Sequence, residues 1–498
     1  MAAPAQRARG DDRGVLAPQV AETIAMLIPC AASCQRFVTA LPASATTSAL
    51  ASLARLYAAP AVDVAWPNLV VRGPSLSSAA SNDLAAIGAL APKSVIVSYK
   101  IKERSNLEVV AGIAPWITQM TFHLEGDAPD AATWAYYRTT LASCQRLETF
   151  VFLDDTAGYG ALGGVFLELP RLTSLTLGVY CGYRGQRECH VTPDFTVRLT
   201  KWLQTRPVTH LAMDFLWLGL DPDSPRVLEL CDAISSSTTL TTLKLNNVDI
   251  FENFLNGRPL PQHLKRLDWD VDDWEATNHT DAGWRNFVNA LIDGPQLEHL
   301  GCKQFELLLE QDDVIEMLEG LSSLEAHCLG YDVASLMDLL DLLGNMSDVK
   351  QLEFKCANFE GDAPRVLFAA ALSRPRLETF GMSMALLLAE EVRVFFQAVP
   401  QLPHRSLKHV DFSHHHLTVA DVLAMLPTLN AATQYLETVQ LQGSWHTDEL
   451  AALATAVGQL PDRHFAVVPS ARLATPAFFA QWRDYVHMVG SPLCLLCI

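Results

Sequence analysis

The most regular feature of the chain is a spacing of apolar positions: an apolar residue, two variable ones, a second apolar residue, one variable residue and a third apolar residue. It occurs at Leu147, Phe150 and Phe152, then at Leu172, Leu175 and Leu177, at Val208, Leu211 and Met213, and at Leu240, Leu243 and Leu245. Leu264, Leu267 and Trp269 carry it on, as do Leu297, Leu300 and Cys302, Val349, Leu352 and Phe354, and Leu377, Phe380 and Met382. Leu407, Val410 and Phe412, then Leu436, Val439 and Leu441, complete the clear copies. Weaker copies start at Ile117 and at Leu324, where His327 falls on an apolar slot. First positions run from 117 to 436 in about twelve copies, a mean step of about 29 residues, a period expected of stacked repeats.

Alternation within each copy predicts a strand whose fourth and sixth positions face inward and whose third, fifth and seventh face outward. Stretches between copies read as helices, among them residues 362–375 and a segment beginning at Thr418. In the latter Val422, Leu423, Leu426 and Leu429 recur at helical spacing, with Thr418 as N-cap and Asp421 three residues on. One such unit cannot bury both its strand and its helix, so neighbours must stack.

These residues resemble the ribonuclease-inhibitor-like, long-repeat branch of the leucine-rich repeat family from about residue 110 to 465. The resemblance implies an α/β fold, a right-handed leucine-rich repeat solenoid or horseshoe of about 12 repeats, with a small N-terminal helical module ahead of it. It also implies a partner-binding concave face built from outward strand positions. The candidates there are His210, Asp214, Lys244, Asn246, Arg266, Asp268, Asp270, His299, Lys303, Glu353, Lys355, His409 and Asp411. Ala326, Cys328 and Gly330 read as a small-residue interruption of that face. Where the family places Asn or Cys after the strand, this chain has Val248, Asp272, Phe305 and His415, so irregular turns are expected.

The N-terminal part has a different pattern. Leu16, Val20, Ile24, Leu27 and Ile28 share one helical face with Pro18 in the first turn. Phe37, Val38 and Leu41 form a second short helix before Pro42, and Leu50, Leu53, Leu56 and Tyr57 a third before Pro60, followed by Trp66. Three short helices ahead of repeats resemble an F-box, with Leu16, Pro18, Ile24, Leu27, Cys34, Gln35, Arg36, Phe37 and Trp66 at its motif positions. That resemblance implies docking onto a Skp-type adaptor through Leu16, Pro18, Ile24, Leu27 and Phe37, and a substrate receptor of a cullin-RING ubiquitin ligase whose repeats bind the substrate. The same helices equally suit a cap on the first repeat, which leaves a non-catalytic scaffold or regulator of the inhibitor or GTPase-activator kind. The expected organisation is a disordered N-terminus at 1–14, a helical module or cap at 15–72, a linker and degenerate first repeat at 73–110, with 73–83 the linker by composition, the solenoid at 111–465 and a C-terminal helical cap at 466–498.

Composition narrows the partner class. With 36 Lys+Arg against 55 Asp+Glu the net charge is −19, which disfavours a nucleic-acid phosphate backbone as partner. Residues 1–60, with five Arg against three acids, are slightly basic. No segment reaches the ~20 apolar residues of a membrane span. Eleven cysteines without regular spacing point to a reducing location, cytoplasmic or nuclear, rather than to a disulfide framework. The histidines at 414–416, the acids between Asp268 and Glu275, the Cys181–His190 loop and the Cys494/Cys497 pair each lack a full ligand or redox signature, so no metal or cofactor is expected. G-x-S-x-G, Walker and H-E-x-x-H motifs do not occur, and the Gly163–Gly164 pair has no phosphate-binding Lys. A protein partner on the repeat surface, not catalysis, is the expected function.

Overall fold

In the computed structural model, the described residues are 16–497 except 29, 60, 75, 125–126, 155, 157, 179–188, 219, 222, 247, 249, 251–252, 255–256, 271–280, 304, 328–332, 356–360, 386, 414, 416, 442–444, 446, 461–463 and 469–493. The N-terminal 1–14 segment and most of the 181–190 loop lie outside them. The chain divides into two compact units, residues 1–240 with 248–250, and residues 241–247 with 251–498. Each has an α/β architecture with a mostly parallel sheet.

The first unit begins with helices Pro18–Leu27, Ala31–Ala40 and Ser48–Leu56. Thr47 caps the third by accepting from the Leu50 N–H, as the short-hydroxyl preference at helix starts requires. An antiparallel hairpin follows, β1 Val62–Ala65 with β2 Asn68–Val71. Then come β3 Ser94–Ile101, β4 Ile117–Leu124, β5 Thr149–Asp154, β6 Ser174–Gly178 and β8 His210–Asp214, paired in parallel in the order β2-β3-β4-β5-β6-β8. A small separate ladder joins β7 Cys189–His190 to β9 Leu216–Trp217. Residues 73–83, read from composition as a linker, are instead half helix: Ser77 caps Ser78–Ile87 through the Ala80 N–H. Its buried Asp83 accepts from Ser52 Oγ at 2.8 Å and pairs with Arg55, joining this helix to Ser48–Leu56.

In the second unit the strands are β10 Thr242–Asn246, β11 Arg266–Asp270, β12 His299–Cys302, β13 Ser323–His327, β14 Gln351–Lys355, β15 Thr379–Ser383, β16 His409–Asp411 and β17 Thr438–Gln440. All pair in parallel with their sequence neighbours. Beyond Gln440, the described ends of the segment expected as a helical cap at 466–498 are strands, β18 Phe465–Val468 and β19 Cys494–Cys497, and its residues 469–493 lie outside the described residues. β19 lies between β17 and β18. Its CLLC run is a short apolar stretch suited to a strand paired on both edges.

Register keeps the apolar positions aligned. Leu243, Leu267, Leu300, Leu324, Leu352, Phe380, Val410 and Val439 form one inward row, and all are at most 2% exposed. Helices cover this side. Phe380 stacks on Phe395 of helix Ala389–Ala398 at 5.1 Å and meets Phe368 of helix Ala363–Leu372 edge-on at 5.9 Å. Thr418 caps helix Val419–Ala432 and exchanges hydrogen bonds with Asp421, as its spacing predicts.

One copy of the repeat phrase is misplaced when read from sequence alone. Leu324 is a fourth-position residue, paired with Leu352, and Ala326 is a buried sixth-position residue paired with Phe354. The phrase therefore begins at the buried Leu321, and His327 leaves the apolar slot to face outward beside Lys355. Ala326 does not interrupt the outward face. Ser323, Glu325 and His327 hold that strand's outward positions, and Cys328 and Gly330 lie outside the described residues.

Candidate functional site

The outward rows of the second unit are the candidate site. Third positions align Thr242, Arg266, His299, Ser323, Gln351, Thr379, His409 and Thr438, and fifth positions align Lys244, Asp268, Gly301, Glu325, Glu353, Gly381, Asp411 and Gln440. Strand alternation puts these side chains opposite the helix-covered row. Most are half-buried, which reflects lateral packing between strands about 4.8 Å apart.

Opposite charges are paired along these rows. Arg266 Nε donates to Asp268 Oδ2 at 2.8 Å, and Lys303 Nζ stands 3.6 Å from Asp270. Lys355 reaches Glu325 Oε1 at 2.5 Å and Glu353 Oε2 at 3.6 Å. His327 also bonds Glu325 Oε1, at 2.6 Å. At the centre of the strip lies a hydrogen-bonded chain: Ser323 Oγ to His299 Nδ1 at 2.6 Å, and His299 Nε2 to Asp268 Oδ1 at 2.8 Å. His299 is 5% exposed and Asp268 9%.

Electrostatics follow from those contacts. Burial alone would raise the Asp268 carboxyl, but hydrogen bonds from His299 and Arg266 and their charges outweigh it, so the acid stays below the usual carboxylate range. Glu325 shows the same balance: burial opposes ionisation, while His327 and Lys355 hold the carboxyl well below its ordinary value. Lys355 is raised, because the Glu325 and Glu353 carboxylates overcome its burial.

The second unit thus brings together Arg266, Asp268, His299, Glu353 and Lys355 with Lys244, Asn246, Asp270, Lys303, His409 and Asp411. His409 Nδ1 bonds Thr438 Oγ1 at 2.8 Å. His210 and Asp214 sit on β8 of the first unit, where His210 Nε2 lies 3.4 Å from Thr176 Oγ1. Glu325, His327 and Ser323 were missed because the misplaced phrase hid them. Starting the copy at Leu321, which shortens one step to 24 residues, is the sequence signal that finds them.

At the N-terminus, the residues expected to form an apolar contact face do not line the core. Helix Pro18–Leu27 buries Ala21 and Ala25, while Leu27 is 75% exposed, Val20 47%, and Leu16, Pro18, Ile24 and Phe37 half-buried. Small residues let this helix pack closely, which turns the larger ones outward. Trp66 is buried, its Nε1 donating to the Ala25 carbonyl at 3.1 Å, one of the last carbonyls of the helix that lack an intrahelical donor.

Of the turn residues expected to replace Asn or Cys, Val248, Phe305 and His415 are buried, and Asp272 lies outside the described residues. His415 places its two ring nitrogens against the carbonyls of Met382 and Ala385 in the preceding turn.

No protein-family profile and no curated protein matches the chain. Among solved structures it is similar to one described as a TLR13–ssRNA13 complex, at 14% identity and a TM-score of 0.30, over 73% of this chain and 50% of the other. The chain thus spans about half the length of that neighbour. No helix among the described residues is long and apolar enough to cross a membrane.

Proposed function

We propose that this chain is a leucine-rich repeat protein that binds a protein partner on the outward strand face of its second unit and carries out no catalysis itself. The observation that supports this most is the register. Two rows of polar and charged side chains run side by side across β10 to β17 without a slip, on a scaffold whose inward row is almost wholly buried. A rigid surface of alternating donors and acceptors suits a protein surface, which is itself polar and hydrogen-bonding at its rim, better than an apolar small molecule, which needs a concave apolar pocket.

The exposed apolar residues Val20, Met26 and Leu27 favour a second role for the first unit, docking of a Skp-type adaptor, which would make the chain the substrate receptor of a cullin-RING ubiquitin ligase. In the alternative the same helices are a cap only.

Site-specific photocrosslinkers test the first reading. Placed at Thr379 and Gln440 on the strand face, they should form an adduct with one and the same protein, and placed at Arg365 and Val366 on helix Ala363–Leu372 they should not. Equal adducts from both sides, or none from the strand face, would sink it. For the second role, the intact chain should retain a purified Skp-type adaptor and lose it on Leu27→Asp; failure to retain the adaptor removes the ligase reading and leaves the strand face untouched.

A further inference from the structure

We propose that Asp268, His299 and Glu325 form a binding site for one divalent transition-metal ion of the zinc class on the outward face of β11, β12 and β13. One donor atom from each lies within 4.8 Å of the other two. The ligand set is one imidazole and two carboxylates, contributed by three consecutive strands rather than by a run of neighbouring acids. Zinc accepts such a set with three protein ligands and an open position, whereas calcium asks for six to eight oxygen donors.

A second observation, independent of the donors, marks the same place. In the fifth-position row Gly301 stands between Asp268 and Glu325. An added Cβ there would collide with Asp268 Oδ1 and stand 3.4 Å from His299 Nε2. Any other residue would occupy the space that the donors share, so the absent side chain keeps that space open.

The surrounding contacts orient the donors. Ser323 Oγ engages His299 Nδ1 at 2.6 Å, fixing the ring so that Nε2 is the ligating nitrogen, as outer partners of metal-bound histidines do. Arg266 takes Asp268 chiefly through Oδ2, at 2.8 Å against 3.3 Å to Oδ1. Lys355 and His327 both take Glu325 Oε1. Arg266 and Lys355 therefore orient the carboxylates while each carboxylate retains a second oxygen. With zinc bonds of about 2.0–2.2 Å, donors lie about 3.3–3.6 Å apart. The His299–Asp268 contact of 2.8 Å then opens by about 0.5–0.8 Å, and a pair at the 4.8 Å limit closes by about 1.2–1.5 Å. On binding, the Nε2 proton that Asp268 accepts is displaced by the metal: the ring changes tautomer through water, its proton then sits on Nδ1 and is donated to Ser323 Oγ, and the Nε2 lone pair is free for the metal.

The test uses the full chain, stripped with a chelator, dialysed against zinc and assayed for bound metal, with cobalt(II) absorption to report the ligands. The expected result is one equivalent of zinc and a cobalt spectrum without a thiolate charge-transfer band. Binding should fall at least tenfold in Glu325→Gln, a half-buried position where volume is conserved, and in Gly301→Ala, which removes no ligand, with circular dichroism confirming that both variants are folded. Absence of stoichiometric binding, binding unchanged in both folded variants, or a thiolate band from the cysteines would each overturn the proposal. No partner protein enters the assay, so its result is separate from that of the crosslinking experiment.

Discussion

Replacing His415 tests how this chain closes the turn after Phe412. The ring is 4% exposed, and its two nitrogens meet the Met382 and Ala385 carbonyls. A neutral imidazole donates through one ring nitrogen only, so truncation to alanine leaves one buried carbonyl without its donor, at about 1–3 kcal/mol. It also removes a ring packed 6.1 Å from Phe412. The expected loss is therefore about 2–5 kcal/mol. His415→Asn should lose distinctly less, since a side-chain amide carries two N–H donors on one nitrogen and can serve both carbonyls after a small backbone shift. Urea unfolding read by peptide-resolved hydrogen exchange across 379–432 measures the difference within the second unit, where a whole-chain midpoint would mix the two units. A loss below about 0.5 kcal/mol for His415→Ala, or an asparagine variant no better than alanine, would refute the idea that hydrogen bonding from this side chain holds the turn.

Acid should loosen both units. In the first, Asp83 is held below the carboxylate range by its Arg55 hydrogen bond, against the opposing effect of burial and with help from Ser52; in the second, Asp268 and Glu325 are likewise depressed, against their burial. A carboxyl more acidic in the folded chain contributes stability that is present above its unfolded value of about 4 and is lost as pH falls through the folded one. Melting temperature should therefore drop as pH is lowered from about 5 toward 3, and Asp268→Asn should flatten that slope; an unchanged slope counts against the buried pairs as its source. Trp66→Phe keeps most of the ring burial but removes the donor to the Ala25 carbonyl, and should cost about 1–2 kcal/mol, read as faster amide exchange within Pro18–Leu27. Unaltered exchange there would show that water replaces the bond at no penalty.

Much of the fold was legible because alternation is a local signal. Apart from Leu324 and Ala326, the fourth- and sixth-position residues from Leu243 to Val439 were placed by spacing alone, and helix Val419–Ala432 could be read from Thr418 and Asp421. Errors arose where one residue type satisfies two registers. At Leu321–Leu324 both leucines fit a first position, and only pairing with Leu352 distinguishes them. At Pro18–Leu27 hydrophobicity ranks Leu27 and Val20 above Ala21 and Ala25, yet close packing chooses the alanines. Composition likewise made a linker of residues 73–83, where a serine cap and the Asp83 contact to Arg55 produce a helix.

By itself, the sequence determined the repeat, its period and the outward or inward sense of most strand positions, since these depend on the two-residue alternation of a strand and on the need of each unit to bury one face. Tertiary structure decided which outward residues meet. Asp268, His299 and Glu325 are separated by about thirty residues each, and their contact depends on the lateral register of three strands. It also depends on a glycine, whose meaning is the space it leaves. Spacing along a chain carries no information on that lateral distance, and so the candidate site became visible only once the strands were set side by side.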